Sequence, residues 1–464
     1  MKQSDLPGCA QRCYVRQVPS DPPVNSLDRA NAIANSYRLS ERVYLLGSLE
    51  RGLTIHSQQL RAHNLSWALA RLHDENIDPF KKVAIVGGGI AGLTAAACLL
   101  AATNARITIF ERRTDICPFQ QGCDTRWVHP NLYSWPEENS RVPRATVPVL
   151  SWSEGRTSDV IHDMLRIFAR YCDQFAGEER PRVILGLTHF RLNTDRSIEW
   201  IGSNSARHGS FFRAGLSEGA HENFDVVIIA AGFGTEEVPS GFSGISYWRN
   251  DQLAQPVLDG TRRRLMISGT GDGGLIDLFR LTIERFRQDV IVNELFDDES
   301  QLLTLENALR AALSADSLGN LFDVMENVRV NSPELIKKAE AGLERRLRKD
   351  VAVILHAGGR EGKHNHVRDI FAAGRSSVFN RALLYLLYRV GAFGIEFGTL
   401  SKALSNSNMA AHDVICRHGT RASANVLDLF SSPDTVADRV DEMSKALGQT
   451  ASRLWPNGFY PHLT

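Results

Sequence analysis

Short apolar runs separated by glycine-rich turns organise the central part of the chain. Residues 83–86 form the first run, which has the length and composition of a buried parallel strand. An Ala- and Leu-rich run at 93–102 predicts a buried helix, and an apolar run at 107–110 predicts a second strand. The pattern therefore predicts a strand, a turn, a helix and a strand in succession.

Related patterns recur further along the chain. Residues 182–230 alternate short apolar segments with polar turns, and residues 264–286 again predict a strand, a Gly-rich turn and a helix. The other predicted elements are strands at 289–295 and 351–359, helices at 157–174, across 300–350 and over most of 376–464, two helices broken near Gly52 within 40–76, and an irregular arm at 1–38.

The first turn has the spacing G-x-G-x-x-G, with glycines at Gly87, Gly89 and Gly92. In a turn between a strand and a helix, the first glycine permits the tight bend, the second lets the backbone approach a pyrophosphate, and the third allows close packing of the helix. The anion then lies on the helix N-terminus, where unpaired N–H groups and the helix dipole favour negative charge. Glu111 ends the following strand and is placed to accept hydrogen bonds from the hydroxyls of an adenosine ribose.

Composition narrows the class of protein. The chain has 464 residues, which is enough for about two or three domains. Its 53 Lys plus Arg residues balance 53 Asp plus Glu residues, so no overall charge points to nucleic acid or to a membrane surface as partner. Seven scattered cysteines, no secretion signal and no membrane span predict a cytoplasmic protein with reduced thiols.

Two glycine turns in this order resemble those of the two-dinucleotide-binding-domain flavoproteins, the group that includes flavin-containing monooxygenases and pyridine-nucleotide-dependent reductases. In that group the first turn holds the ADP half of FAD, and a β-meander leads to a strand that ends in Ala-Thr-Gly or similar. Here the corresponding strand ends in Ala230-Ala231-Gly232, followed by a Pro- and Gly-containing crossover. The resemblance implies these FAD-binding residues: Gly87, Gly89, Ala91, Gly92, Glu111, Arg112, Gln121, Ala231 and Gly232.

The resemblance also implies the fold class. We expect an α/β protein with a Rossmann-like FAD-binding domain that carries a β-meander, a second Rossmann-like dinucleotide-binding unit, and additional helical N- and C-terminal regions. The predicted boundaries are 1–80 for the N-terminal arm and helical pair, 81–260 for the FAD-binding domain, 261–300 (to about 360) for the second unit, and 361–464 for the C-terminal region.

The second turn supplies Gly269, Gly271, Asp272 and Gly274, and by resemblance it binds NADH or NADPH. Glu294 ends the predicted strand at 289–295, and a carboxylate there favours NADH through the ribose hydroxyls. In a second interpretation, Gly271 and Asp272 form the pair that closes the flavin site, which leaves a single dinucleotide site. A third possibility is that the second turn keeps the fold and binds nothing.

An aromatic segment at 124–137 follows the first nucleotide-binding unit and supplies the candidates for catalysis. We expect Trp127 to wall a substrate pocket, His129 to act as an acid or base, and Arg126 to hold an anion. The alternative is a packed loop whose aromatic side chains fill a domain interface. The remaining histidines lack the spacing of a metal site, so no metal is predicted.

The sequence therefore predicts an FAD-dependent oxidoreductase, most simply an NAD(P)H-dependent monooxygenase or reductase that acts on a small molecule. Two alternatives stay open: an oxidase or dehydrogenase with one dinucleotide site, and a nucleotide-binding sensor or scaffold without catalysis. No nucleic-acid or membrane partner is expected. The N- and C-terminal helical regions are candidate surfaces for a homo-oligomer or a protein partner.

Overall fold

The computed structural model carries side chains and no ligand. It describes residues 26–47, 49–50, 52–175, 181–204, 207–208, 211–212, 217–232, 234–296, 298–314, 320–358, 365–372, 376–445, 451–461 and 463. Most of the predicted arm at 1–38, including Cys9 and Cys13, and the residue Arg375 lie outside these ranges.

The strands are β1 (Arg38–Ser40), β2 (Val43–Leu45), β3 (Lys82–Val86), β4 (Arg106–Phe110), β5 (Trp127–Val128), β6 (Gly155–Arg156), β7 (Arg182–Leu192), β8 (Ser197–Asn204), β9 (Arg207–His208), β10 (Phe211–Phe212), β11 (Ser217–Asn223), β12 (Val226–Ile229), β13 (Arg263–Ser268), β14 (Val351–His356), β15 (Gly394–Glu396) and β16 (Val414–Cys416). The helices are α1 (Ser26–Tyr37), α2 (Ile55–Asp74), α3 (Ile90–Ala102), α4 (Thr157–Phe175), α5 (Asp272–Thr282), α6 (Ile291–Leu295), α7 (Glu299–Ser314), α8 (Leu321–Asn331), α9 (Pro333–Glu344), α10 (Val378–Arg389), α11 (Leu400–Ser407), α12 (Ala422–Leu427) and α13 (Asp434–Lys445).

The first sheet has eight strands in the order β1-β2-β12-β3-β4-β7-β8-β11. Strands β2, β12, β3, β4 and β7 run parallel, and β7, β8 and β11 form the predicted antiparallel meander. The two helices predicted within 40–76 are wrong, because residues 43–45 form β2 and a single helix, α2, follows. The N-terminal region thereby extends the sheet of the first unit.

Helix α3 is buried over nearly its whole length because it lies between the sheet and two other helices. Its neighbour α2 is also buried and carries polar residues in its interior-facing turns, which requires that they find partners. Gln59 donates to Leu150 O at 2.8 Å and accepts from Trp152 Nε1 at 2.7 Å. These bonds attach the loop around residue 150 to the first unit.

The second sheet has four parallel strands in the order β15-β14-β13-β16. With β13 as the first strand of the unit, this is the 3-2-1-4 order of one half of a Rossmann fold. Helices α6 to α9 are inserted between α5 and β14. The C-terminal region is less helical than predicted, since its strands β15 and β16 complete this sheet.

The chain crosses between the two sheets twice, and the two crossings touch. It leaves the first sheet after β12, and it returns after β16 to pack α12 and α13 on the first unit. Glu237 N, on the outward crossing, donates to Gly419 O on the return crossing at 2.8 Å. The return is completed by Leu192 N of β7, which donates to Leu429 O at 2.8 Å.

Among the residues that the structure describes, no helix combines the length and the apolar character needed to span a bilayer.

Candidate functional site

The first glycine turn has a backbone that only glycine adopts without strain. Gly87 has a φ of 118°, and a Cβ built on it would lie 2.2 Å from Ala230 O. Its N–H donates to Phe110 O at 2.7 Å, which joins the turn to the end of β4. The bend is thus enclosed by the ends of β12 and β4, and any side chain at this position would displace backbone.

The second and third glycines have different surroundings. A Cβ on Gly92 would lie 2.0 Å from Gly87 O, so this glycine is required for close packing of α3 against the turn. Gly89 is the N-cap of α3, and no atom lies within 4 Å of the position that its Cβ would take. Beside it, Ala91 is buried in the first turn of the helix. The helix N-terminus therefore faces open space, as a pyrophosphate requires.

Glu111 lies beside this turn. Its carboxylate accepts from Gly88 N at 2.8 Å and from Arg113 N at 2.7 Å. Burial raises the pKa of Glu111, and these two hydrogen bonds and the nearby charge of exposed Arg112 oppose that shift. A carboxylate has lone pairs beyond the two used here, so ribose hydroxyls can still donate to it.

The end of β12 completes the first site. Ala231 is exposed, and its Cα lies 2.9 Å from the Cβ position of Gly87. Gly232 follows with a φ of 69°. The structure thus brings together the predicted residues of β3, α3, β4 and β12 at one edge of the sheet. The chemistry of this set fits the ADP half of FAD: an open helix N-terminus for the diphosphate and a carboxylate for the ribose.

The second glycine turn repeats this construction. Gly269 has a φ of 127°, and a Cβ on it would lie 2.2 Å from Arg417 O. A Cβ on Gly274 would lie 2.3 Å from Gly269 O, whereas Gly271, the N-cap of α5, has no atom within 4 Å of its Cβ position. The second turn is therefore built to the same plan as the first, with Arg417 in the place of Ala230.

The prediction of a strand at 289–295 is wrong, because residues 291–295 form helix α6. Glu294 pairs from this helix with Arg346, and its side chain is 43% exposed. The strand that lies next to β13 is β14, and Gly269 N donates to His356 O as Gly87 N donates to Phe110 O. The residue after His356 is Ala357, so the position of Glu111 holds no acid in the second unit.

Asp272 is engaged within the second unit. Its Oδ1 accepts from Ser377 N at 2.8 Å and from Asn380 Nδ2 at 2.6 Å. These bonds hold the N-terminus of α10 against the first turn of α5. The geometry gives Asp272 a packing role between two helices, and the interpretation of Gly271 and Asp272 as a flavin-closing pair gains no support from it.

Arg126 lies in a buried ion-pair cluster, where the sequence analysis expected it to hold a substrate anion. Its side chain is 1% exposed. Nε donates to Tyr247 O at 2.9 Å, Nη2 lies 3.1 Å from Asp251, and Nη1 is paired with Asp277. The guanidinium also lies 4.0 Å from the centre of the Tyr247 ring. With these donors engaged inside the protein, Arg126 has a structural role in this cluster.

Asp277 is the centre of the same cluster. It is fully buried and contacts Arg280 at 3.1 Å and Arg417 at 2.8 Å in addition to Arg126. Burial alone would raise the pKa of the Asp277 carboxyl, but the charges of Arg126 and Arg417 lower it overall. The cluster therefore joins the aromatic segment, α5 and the end of β16 through one ionised carboxylate.

His129 is held as a neutral ring. Its Nδ1 accepts from Asn131 N at 3.1 Å and from Leu132 N at 3.0 Å, and its Nε2 lies 3.2 Å from Glu154. Burial lowers the pKa of His129 to about 4. Since both nitrogens are occupied and the ring is neutral, His129 caps a 3₁₀ turn at Leu132–Ser134 instead of taking the predicted acid–base role.

Trp127 is half-buried, and the guanidinium of Arg287 lies 3.6 Å from its ring centre. It lines a cleft of about 440 Å³ between the β5–β6 ribbon and α4, together with charged residues of that helix. That Trp127 walls a substrate pocket stays a prediction, attached to this cleft. Gln121 is engaged locally, since its Nε2 donates to Asp115 Oδ2 at 2.9 Å and to Ile116 O at 2.6 Å.

A second cleft, of about 370 Å³, lies between the loop after β4 and the outward crossing. Asp124 and Asn250 join its two walls by hydrogen bonds of 2.8 and 3.1 Å. The cleft is close to both glycine turns, because Cys117 N donates to Gly88 O at 2.9 Å and Tyr247 lies 3.2 Å from the Cβ position of Gly273. Its lining residues are Pro118, Phe119, Gly122, Ile245, Trp248, Arg249 and Asn250.

Sequence reasoning missed this second cleft. The aromatic pair Tyr247 and Trp248 was the available signal, since aromatic residues are unusual in a linker rich in Pro and Gly. The pattern did not show that the linker would fold back over the first turn.

Residues 82–209 match the family model described as FAD dependent oxidoreductase. The match confirms the resemblance to FAD-binding oxidoreductases, and with it FAD as cofactor and oxidoreductase as the class of enzyme. A comparison with curated protein sequences gave no match.

Two solved structures show partial likeness to the chain. Cyclohexanone monooxygenase, bound to ε-caprolactone in its loose conformation, is 14% identical over 44% of this chain and 37% of its own, with a TM-score of 0.24. FprA of Mycobacterium tuberculosis, in complex with NADPH, is 17% identical over 48% of this chain and 56% of its own, with a TM-score of 0.18. The chain thus covers less than two thirds of either structure.

Substitution of Gly89 tests the first site. Gly89→Val should reduce the FAD content of the purified protein to below about a tenth of wild type, because the new side chain fills the space that the diphosphate needs. The melting temperature of the cofactor-free protein should stay near that of the wild type. Gly394→Val is the control, since a Cβ there makes only ordinary contacts, and normal FAD content in Gly89→Val would contradict the assignment.

Substitution of Asp277 tests the ion-pair cluster. Asp277→Asn should lower the free energy of unfolding by about 3–5 kcal/mol, because three buried guanidinium groups lose their shared counter-charge. Asp441→Asn removes an exposed i,i+4 pair with Lys445 and should change stability by less than about 0.5 kcal/mol. Equal effects in the two variants, measured by denaturant unfolding of the FAD-loaded protein, would show that the cluster adds little.

Proposed function

We propose that this protein is an FAD-dependent oxidoreductase whose flavin is reduced by NADH or NADPH bound at the second glycine turn, acting as a monooxygenase or reductase on a small molecule. The observation that carries this proposal is the equivalence of the two turns. Each has a first glycine enclosed by a backbone carbonyl at 2.2 Å and a middle glycine open to solvent at a helix N-terminus. A turn kept only for the fold would have no need of the open middle glycine.

The chain's own residues divide the work between the sites. When bound, FAD supplies the redox chemistry, and the protein supplies binding, orientation and exclusion of water. Gly89 and the N-terminus of α3 would hold the diphosphate, and Glu111 the adenosine ribose. Gly271 and the N-terminus of α5 would hold the second diphosphate in the same way.

The cleft between the loop after β4 and the outward crossing is the best candidate for the substrate. Its volume of about 370 Å³ lies within the range of small-molecule sites. Phe119 and Trp248 supply apolar surface, and Arg249 and Asn250 supply polar groups at the same cleft. This composition suits a small, largely apolar molecule with a hydrogen-bonding group.

An oxidase or dehydrogenase with one dinucleotide site is the second candidate. The observation that favours it is Ala357, which stands where the first unit has Glu111, so a nucleotide at the second turn lacks a carboxylate for its ribose. That enzyme would be reduced directly by its substrate, and neither NADH nor NADPH would reduce its flavin.

Blocking the second turn separates the two candidates. Gly271→Val should keep FAD and a normal melting temperature, because no atom lies within 4 Å of the new Cβ. Its flavin should be reduced by NADH or NADPH at least about a hundredfold more slowly than the wild type in anaerobic stopped-flow mixing. If the wild-type flavin is reduced by neither nucleotide, the single-site enzyme is the better description.

Glu294 provides a test of nucleotide preference. Glu294→Ala should leave the ratio of kcat/KM for NADH and NADPH unchanged, because this side chain pairs with Arg346 on a helix and does not end the strand next to β13. The comparison uses steady-state kinetics with both nucleotides, and Glu284→Ala is the matched surface control. A shift of the ratio towards NADPH in Glu294→Ala alone would restore the original prediction.

A further inference from the structure

Three polar side chains form a hydrogen-bonded chain at the carboxyl edge of the second sheet. Ser268 Oγ lies 2.8 Å from His356 Nδ1 and 2.7 Å from His418 Nε2, and His356 Nε2 lies 2.9 Å from Gly398 O. Ser268 ends β13, His356 ends β14, Gly398 follows β15 and His418 follows β16. Each of the four parallel strands therefore contributes to this chain, directly beside Gly269.

The hydrogen-bond partners determine the direction of the chain. A carbonyl only accepts, so His356 Nε2 carries a hydrogen and donates to Gly398 O. Burial lowers the pKa of His356, so the ring is neutral and its Nδ1 accepts from the Ser268 hydroxyl. Ser268 Oγ in turn accepts from His418 Nε2. The buried pair Ser268 and His356 thus holds the half-buried ring of His418 through one nitrogen.

The place of His418 follows from the equivalence of the two units. Ala230 O encloses Gly87 in the first unit, and Arg417 O encloses Gly269 in the second. The next residues are Ala231 and His418, and each is followed by a glycine with positive φ, 69° at Gly232 and 80° at Gly419. His418 therefore occupies, in the second unit, the position that Ala231 occupies beside the first turn.

We propose that His418 contacts the diphosphate and adjoining ribose of the nicotinamide dinucleotide at the second glycine turn, an inference that rests on the function proposed above. Where the first unit has a methyl group, the second presents an imidazole that is held in place by Ser268. An imidazole beside a diphosphate donates a hydrogen bond and attracts negative charge when it is protonated.

The neighbouring charged side chains make this contribution stand out. Arg417 directs its guanidinium to Asp277 and to Ile245 O, and Asp272 is bound to Ser377 and Asn380. Ala357 leaves the end of β14 without a carboxylate. His418 is thus the residue of the β16 end whose chemistry suits an anionic ligand at this turn.

The test measures dissociation constants of the FAD-loaded enzyme for NADP⁺, NAD⁺ and ADP-ribose by titration calorimetry. These three probes carry the diphosphate and both adjoining riboses, and none of them reduces the flavin. His418→Ala should weaken all three by about tenfold, which corresponds to about 1.4 kcal/mol. His418→Gln should recover most of the loss, because its amide can still donate to Ser268. FAD content and melting temperature should remain at wild-type values in both variants.

Two reference variants complete the design. His412→Ala removes an imidazole that is 82% exposed near the same strand and should leave every dissociation constant unchanged. Gly271→Val should abolish binding of all three probes. If Gly271→Val abolishes binding and His418→Ala does not weaken it, or if NADP⁺ and NAD⁺ weaken while ADP-ribose does not, the role of His418 is overturned alone. If the wild-type enzyme binds none of the probes, the proposed function fails with it.

Discussion

The buried carboxylate of Asp277 is the interaction on which the relative placement of the two glycine turns depends. It contacts Arg126 of the aromatic segment, Arg280 of its own helix and Arg417 of the return crossing. A buried charge without partners is strongly unfavourable, so each of these segments must remain in place for the others to be stable. Arg417 adds a second constraint, because its backbone carbonyl encloses Gly269 while its side chain holds Asp277. The position of the second turn and the closure of the interface are thus one structural requirement.

The aromatic segment is the other half of this interface, which explains its unusual composition. Leu132 and Trp135 pack in the hydrophobic core of the second unit, and Trp135 Nε1 donates to Glu306 at 2.8 Å. His129 caps the turn that presents both residues. Aromatic residues, a histidine and an arginine close together in sequence are common to active sites and to interfaces between domains. The side-chain partners distinguish the two, and they come from residues more than a hundred positions away in the chain.

The difference between local and distant determinants also separates the successful predictions from the others. The first turn was predictable because its strand, glycines, helix and acid occupy residues 82–111 and depend on each other through local geometry. The second turn was predictable for the same reason. Its partner strand was not, because helices α6 to α9 separate β13 from β14, and the apolar pattern of 289–295 suits a short helix as well as a strand. His418 was beyond reach, because only the equivalence of β12 and β16 identifies its position.

The residues that differ between the two equivalent sites suggest how one fold serves two ligands. The first site has Glu111 for a ribose, and hydrogen bonds to a charged group contribute about 1.5–3 kcal/mol each. A carboxylate of this kind stabilises a cofactor that stays bound through many turnovers. The second site has Ala357 at that position and His418 opposite it, so in the proposed function it keeps a contact for the diphosphate and gives up the strongest contact for the ribose. A nucleotide that delivers a hydride must leave before the next one enters, and weaker binding at an otherwise identical turn permits that exchange.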